Sequence, residues 1–305
     1  MGKQGRKRRG LHLPKSNLIF IKKCLDKWVH FIVFIFYPII YNLILSLQDV
    51  TVTTLLSPDK DFVGLKNYID VLKQKEFWNA LFLNCVFTVA CIFFQFIGGF
   101  ALAMVFKKET SFFRVTKAMM LIPYIIPVTV NAILWKFFFA TNGGFINEVL
   151  VGLGVIETGV EWLQHPWTAM FSVIVANIWC GIPFFMILLS TGLANIPMDF
   201  YESARIDGAT SLQQFIYITV PSVKASIQAS LVLGIVYTFR AFELIYVMTG
   251  GGPVNGTELL TLYSYKNSFT KFDFSVGATI SNILMLILLI VGVFYIRMMK
   301  DDEEM

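Results

Sequence analysis

Apolar positions in this chain do not alternate with polar ones; they come in long runs separated by short charged clusters. No Asp, Glu, Lys or Arg lies between Lys27 and Asp49 (21 residues), Glu76 and Lys107 (30), Lys117 and Lys136 (18), or Asp273 and Arg297 (23). About 20 apolar residues, each rising 1.5 Å in a helix, cross roughly 30 Å of hydrocarbon, so each run has the length of a span. The neutral run of 37 between Glu161 and Asp199 is divided by Gln164, His165 and Pro166, which leaves one more. Residues 225–247 supply another, apolar except for Arg240 and Glu243. The pattern predicts an all-α polytopic membrane protein with six transmembrane helices, at about 28–47, 81–106, 118–139, 169–192, 225–247 and 276–298. These form a membrane domain, 28–298, between a basic segment, 1–27, and an acidic tail, 299–305.

Composition narrows the class. Of the 305 residues 56% are hydrophobic and 15% charged, with mean hydropathy +0.67. A soluble domain carries about 25% charged residues, so a water-facing surface could not be covered here. High apolar content, 21 Gly and 4 Cys also exclude disorder, a collagen-like fibre and a disulfide scaffold.

Charge orients the bundle. With the N-terminus inside, the inner segments hold seventeen Lys and Arg and the outer loops six, which predicts that both termini are cytoplasmic. The first 27 residues hold nine Lys and Arg, and the run after them is too long for a signal-peptide core, so the first span is read as an anchor. The basic start, Lys3 to Arg9, is read as the positive flank of that span, with no nucleic-acid partner. Cys24, Cys85, Cys91 and Cys180 fall at the cytoplasmic edge or inside spans, so no structural disulfide is expected, and without C-x-x-C spacing or His partners no zinc site is expected either.

The loop 193–224 is longer than a reversal needs. Asp199 and Glu202 have the spacing of a cap and its partner, with Gly208 as a stop. Thr210 and Gln213 have capping-box spacing, and Pro221 is expected to prevent the second helix from running far past Ile218. Two short helices result, the first about 12 Å long at eight residues. Two readings stay open: a knuckle entering a groove on another protein, or an amphipathic helix lying on the membrane through Phe200, Tyr201, Phe215 and Ile216.

The run Glu202-Ser203-Ala204-Arg205-Ile206-Asp207-Gly208-Ala209, continuing to Phe215, Ile218 and Pro221, resembles the signature cytoplasmic loop of ABC importer permeases. That signature is Glu-Ala-Ala, three residues, Gly, and about a dozen later a hydrophobic residue before Pro. Ser203 and Val220 are small departures from it. The resemblance spans about 28–296 and includes Phe62-Val63-Gly64-Leu65-Lys66-Asn67-Tyr68, Phe112-Phe113-Arg114, Pro123, Pro127 and Thr249-Gly250-Gly251-Gly252-Pro253. It is most similar to carbohydrate-uptake permeases of the maltose-transporter first-permease type, related to those for glycerol phosphate and oligosaccharides. The resemblance implies a transport subunit, not an enzyme, in a bacterial plasma (inner) membrane. Its implied partners are a second permease subunit, two ATPase subunits carrying ATP and Mg, and an extracytoplasmic solute-binding protein. The chain itself is expected to bind no cofactor: Gly251 to Thr257 spells G-x-x-x-x-G-T but lacks the phosphate-reaching Lys.

As the resemblance implies, Glu202 and Asp207 contact the ATPase rim, Ala204 allows close approach, and Gly208 sets the angle to the second helix; Ser203, Ala209 and Pro221 complete that coupling set. Carried onto matching motifs, the family's sugar contacts fall at Tyr124, Asn177, Gly181, Gly234, Thr238 and Ala241. Gly234 and Ala241 bring no polar side chain, so the sugar stays unassigned. From the residues themselves, Arg240 and Glu243, i and i+3 in a span, pair on one face as substrate ligands, as a helix-fixing ion pair, or as contacts to the companion permease. Asn131, Asn177 and Trp179 are the sugar-binding types, planar amides and an aromatic face, or else inter-helix glue. Pro123, Pro127 and Pro183 are expected kinks. The turn Gly250 to Pro253 is either a tight reversal, the preferred reading, or part of the docking surface for the binding protein. A secondary transporter would need buried carboxylate or His relays, against which stand only three His (His12, His30, His165) and one buried Glu candidate, Glu243. A membrane-embedded enzyme would need clustered His, Asp or Glu at one membrane face, and none is visible.

Overall fold

The computed structural model describes residues 32–57, 59–107 and 110–303. The basic N-terminal segment, the first residues of the first span, and Cys24, His12 and His30 lie outside the described residues. Among the described residues the chain is helical and has no strands, only isolated antiparallel bridges at Gln48–Phe62 and Thr51–Asp273.

The shorter apolar helix α1 (Ile32–Ser46) is followed by α2 (Lys66–Lys73) and the long α3 (Lys75–Val105). The bent pair α4 (Phe112–Ile125) and α5 (Val128–Phe138) comes next, then α6 (Phe145–Gly152) and the long α7 (Pro166–Ala194). The short α8 (Met198–Ile206) leads to a second bent pair, α9 (Ser211–Ser222) and α10 (Lys224–Phe239). The chain closes with α11 (Glu243–Met248), α12 (Leu260–Phe269) and α13 (Phe274–Glu303). By length and composition three of these cross a membrane (α3, α7 and the Phe274–Arg297 part of α13), or five if each bent pair is one span.

The pair α3–α7 forms the spine. Gly99 makes the close crossing possible: a Cβ there would stand 2.9 Å from the backbone nitrogen of Met186. One core cluster, around Phe87, Val173, Ile245 and Leu262, fills one half of the spine. A second, around Phe100, Phe185, Leu189, Tyr201 and Val223, fills the half beside α8. The first helix is tied to the last by Asn42 Nδ2 donating to Asn282 Oδ1 at 2.7 Å.

The expected kink in the third span is sharp: α4 and α5 meet at 96°, because Pro127 has no N–H and holds Ile126 extended (φ −68°, ψ 135°). Four expectations are corrected. The fifth span breaks at residues 240–242 between α10 and α11, so Arg240 and Glu243 do not share a helix. The freed carbonyls there are paired by neighbours: Asn84 Nδ2 donates to Phe239 O at 3.1 Å and Thr261 Oγ1 to Ala241 O at 2.6 Å, which makes a break inside a bundle tolerable. In the long loop, the second helix passes through Pro221 and bends by 68° only at Val223, since a π-turn over Phe215–Thr219 widens the helix just ahead of the ring. Asp199 is not the cap of the first loop helix: Pro197 precedes it, and Asp199 sits in the first turn, where its charge suits the helix dipole. Pro183 leaves α7 unbroken.

Candidate functional site

The break between α4 and α5 opens a cavity of about 290 Å³ between α3, α7 and α10. Pro127 leaves the Pro123 carbonyl, four residues earlier, without its helical partner. The Asn131 amide takes that place, donating to Pro123 O at 2.9 Å and Ile126 O at 3.3 Å. Asn131 is 1% exposed, and its Oδ1 has no partner. Opposite, Gln95 crosses from α3 and donates to Asn177 Oδ1 at 2.8 Å and to Asn177 O at 2.9 Å. A side chain at Gly181 would occupy the space of that Gln95 amide, and one at Gly234 would meet the Phe185 ring. Two phenols, Tyr124 and Tyr237, flank Phe184 at centroid distances of 6.5 and 5.6 Å, and both are about half exposed (55%). The cavity therefore offers aromatic faces, hydroxyls and amides, and one unused acceptor lies buried in its lining residue Asn131.

Of the nine residues predicted for substrate, Tyr124, Asn131, Asn177, Gly181, Gly234 and Thr238 line this cavity. Arg240 and Glu243 do not: both are exposed and form no ion pair with each other, and the Arg240 guanidinium lies 5.6 Å from the Tyr237 ring. Ala241 is half-buried at the helix break, outside the lining. The buried glutamate is Glu258, not Glu243, and it pairs with Lys266 at 2.7 Å. Trp179 stands outside the lining, edge-on to Trp135 at 5.8 Å. The sequence reading missed Gln95, Phe184 and Tyr237. Gln95, a lone amide deep in a neutral run of 30, was the signal available. A larger cleft of about 460 Å³ between α1, α12 and α13 holds none of the predicted residues.

The loop after α7 turns a tight, hydrogen-bonded corner. Gly208 has φ +79°, and nothing stands within 4 Å of where its Cβ would be, so its backbone conformation, not space, requires glycine. Gly208 N donates to Arg205 O at 3.1 Å and Ala209 N to Ala204 O at 2.8 Å, the double closure of a Schellman end. Thr210 and Gln213 then form the predicted capping box and open α9. Glu202, Ser203, Asp207 and Pro221 are exposed, and Ala204 and Ala209 half-buried. Phe200, Ile206 and Tyr217 are exposed too, whereas Tyr201 is the buried residue of α8 and packs on the protein core. At the other end of the molecule Gly250 to Pro253 forms a tight turn, with Gly252 N donating to Thr249 O at 3.1 Å and the Thr249 and Thr257 hydroxyls 2.7 Å apart.

The family model for the binding-protein-dependent transport system inner membrane component matches residues 71–299. The trehalose/maltose transport system permease protein MalF of Thermococcus litoralis is 34% identical over 87% of this chain and 88% of its own. The probable ABC transporter permease protein YurN of Bacillus subtilis is 33% identical over 90% and 94%. Among solved structures, a bacterial ABC transporter involved in the import of the acidic polysaccharide alginate shares the fold at TM-score 0.81, with 20% identity over 94% of this chain and 96% of that one. The chain belongs to the binding-protein-dependent transport system inner membrane components, the permease subunits of ABC importers, and is not itself an enzyme.

Proposed function

We propose that the chain forms one half of a heterodimeric pore that imports a carbohydrate, a di- or oligosaccharide, by alternating access driven by two partner ATPases. A second permease subunit completes the pore, an extracytoplasmic solute-binding protein delivers the sugar, and ATP and Mg are bound by the ATPases. In this reading both termini and α8 face the cytoplasm, and the membrane domain covers 28–298.

The observation that supports this reading most is the cavity. It joins two phenols and two phenylalanines to amides and a threonine hydroxyl, the mixture that holds the C–H faces and hydroxyls of a sugar. None of its fourteen lining residues is Lys, Arg or His, so it lacks the cation that a glycerol phosphate calls for. The exposed acids of α8 and its exposed Phe200 and Ile206 form a short knob with polar and apolar contacts to offer an ATPase groove. A secondary transporter would need a coupling carboxylate in the cavity, and the lining contains none.

The test is to purify the tagged chain in mild detergent, identify the subunits that come with it, and measure which glycans stimulate the complex's ATPase. Gly208→Leu and Glu202→Lys are expected to abolish ATP-dependent uptake with membrane insertion intact. Unchanged uptake in both variants overturns the coupling role.

A further inference from the structure

We propose that Tyr201 and Thr219 are positioning residues for transport: their shared hydrogen bond, with the file of rings behind it, links movement of α8 to the cavity. The inference rests on the reading of α8 as the ATPase-facing element.

Tyr201 is the buried residue of a helix whose other side chains are exposed, the half-buried Ala204 apart. Its hydroxyl lies 2.9 Å from Thr219 Oγ1, and the Lys107 ammonium, just past the end of α3, sits 4.0 Å from its ring centroid. The knob is thus clamped to two other elements through one side chain. Thr219 closes the π-turn Phe215–Thr219, and its hydroxyl also donates to Gln214 O at 3.4 Å. Phe215 opens the same turn and meets Phe100 edge-on at 5.6 Å. From there rings follow one another, Phe100 to Phe96 at 5.8 Å and Phe96 to Phe185 at 6.3 Å. Phe185 lines the cavity, its ring occupying the space left by the missing side chain of Gly234.

Each joint in this series is a close packing contact, and close-packed interiors shift between discrete arrangements instead of deforming smoothly. The π-turn supplies the bistable element that such a linkage needs. It carries one residue more than an α-turn, so expelling that residue rotates the helix on one side by about 100° relative to the other. Displacement of α8 pulls on Thr219 through the Tyr201 hydroxyl, and the Phe215 ring turns against Phe100.

The experiment uses the whole importer in proteoliposomes and reads two quantities, ATP hydrolysed and sugar taken up. Tyr201→Phe and Thr219→Val each remove one hydroxyl without changing shape. Each is expected to lower uptake per ATP by roughly two- to thirtyfold, the range in which substitutions alter coupling between sites, while assembly and ATP hydrolysis persist. The double variant should be no worse than either single one, and Thr219→Ser, which keeps the hydroxyl, should restore the ratio. Phe100→Leu should lower the same ratio with both hydroxyls in place. A purely structural role predicts instead that uptake and hydrolysis fall together with the yield of complex, which overturns the proposal. Glu202→Lys is run beside these variants. If it is inactive while Tyr201→Phe transports at the parent ratio, the linkage is wrong and the docking reading stands; if Glu202→Lys and Gly208→Leu both behave as the parent, the docking reading falls and takes the linkage with it.

Discussion

Replacing Asn131 by alanine tests whether the break between α4 and α5 is held by one side chain. The amide donates to Pro123 O at 2.9 Å and Ile126 O at 3.3 Å. The first acceptor is the carbonyl that Pro127, lacking an N–H, cannot serve. Side-chain hydrogen bonds between membrane helices average about 0.6 kcal/mol and reach about 1.7, whereas an abandoned buried carbonyl costs about 1–3 kcal/mol. One well-formed bond, one long bond and one orphaned carbonyl together give an expected loss of about 1–3 kcal/mol. At roughly 2–4 °C per kcal/mol the unfolding midpoint in detergent should fall by about 2–12 °C, using the scaling for chains of 150–250 residues. Asn131→Asp keeps the shape but puts a second acceptor oxygen where the amide donates, and when ionised it cannot donate at all, so it should lose at least as much. If alanine leaves the midpoint where the parent has it, Pro123 O finds a partner without Asn131 and the clip is refuted.

Asn84 bridges the other break, donating to Phe239 O and accepting from Leu260 N at 3.2 Å. Asn84→Leu removes both partners and should lower the midpoint by a comparable amount; thermal unfolding beside Asn131→Ala checks this, and an unshifted midpoint counts against it. Gly181→Ala forces the Gln95 amide aside and breaks both of its bonds to Asn177. It should raise the half-saturating sugar concentration for uptake while the complex still assembles, and kinetics indistinguishable from the parent would show that Gln95 does not shape the site.

The features legible in the sequence were those whose causes are local. Charge-free runs mark apolar helices because hydrocarbon length sets their minimum. Gly208, Thr210 and Gln213 marked the corner after α8 because a left-handed backbone and a capping box are decided within four residues. The breaks were not legible in the same way. Pro127 announces a kink, but a bend of 96° also needs Asn131 to serve the abandoned carbonyl. The break at 240–242 has no Pro or Gly at all; it rests on Asn84 and Thr261, which are remote in sequence. Periodicity therefore continued a helix through it and paired Arg240 with Glu243, a spacing argument that fails once the helix stops.

The buried amides divide into those fully used by the fold and those with capacity left. Asn84 spends both its amide and its carbonyl oxygen on backbone groups, and Asn147 accepts from Val160 N and Trp162 Nε1 while donating to three carbonyls. Neither lines the cavity. Asn131 does line it, and there only the donor half is used, so its Oδ1 remains buried without a partner. A buried acceptor left unpaired is costly, and a hydroxyl that reached it would relieve that cost. The same residue thus fixes the bend that opens the cavity and keeps an unused, buried acceptor among the lining residues. For that reason the sequence alternatives for Asn131, inter-helix glue or sugar contact, are not exclusive.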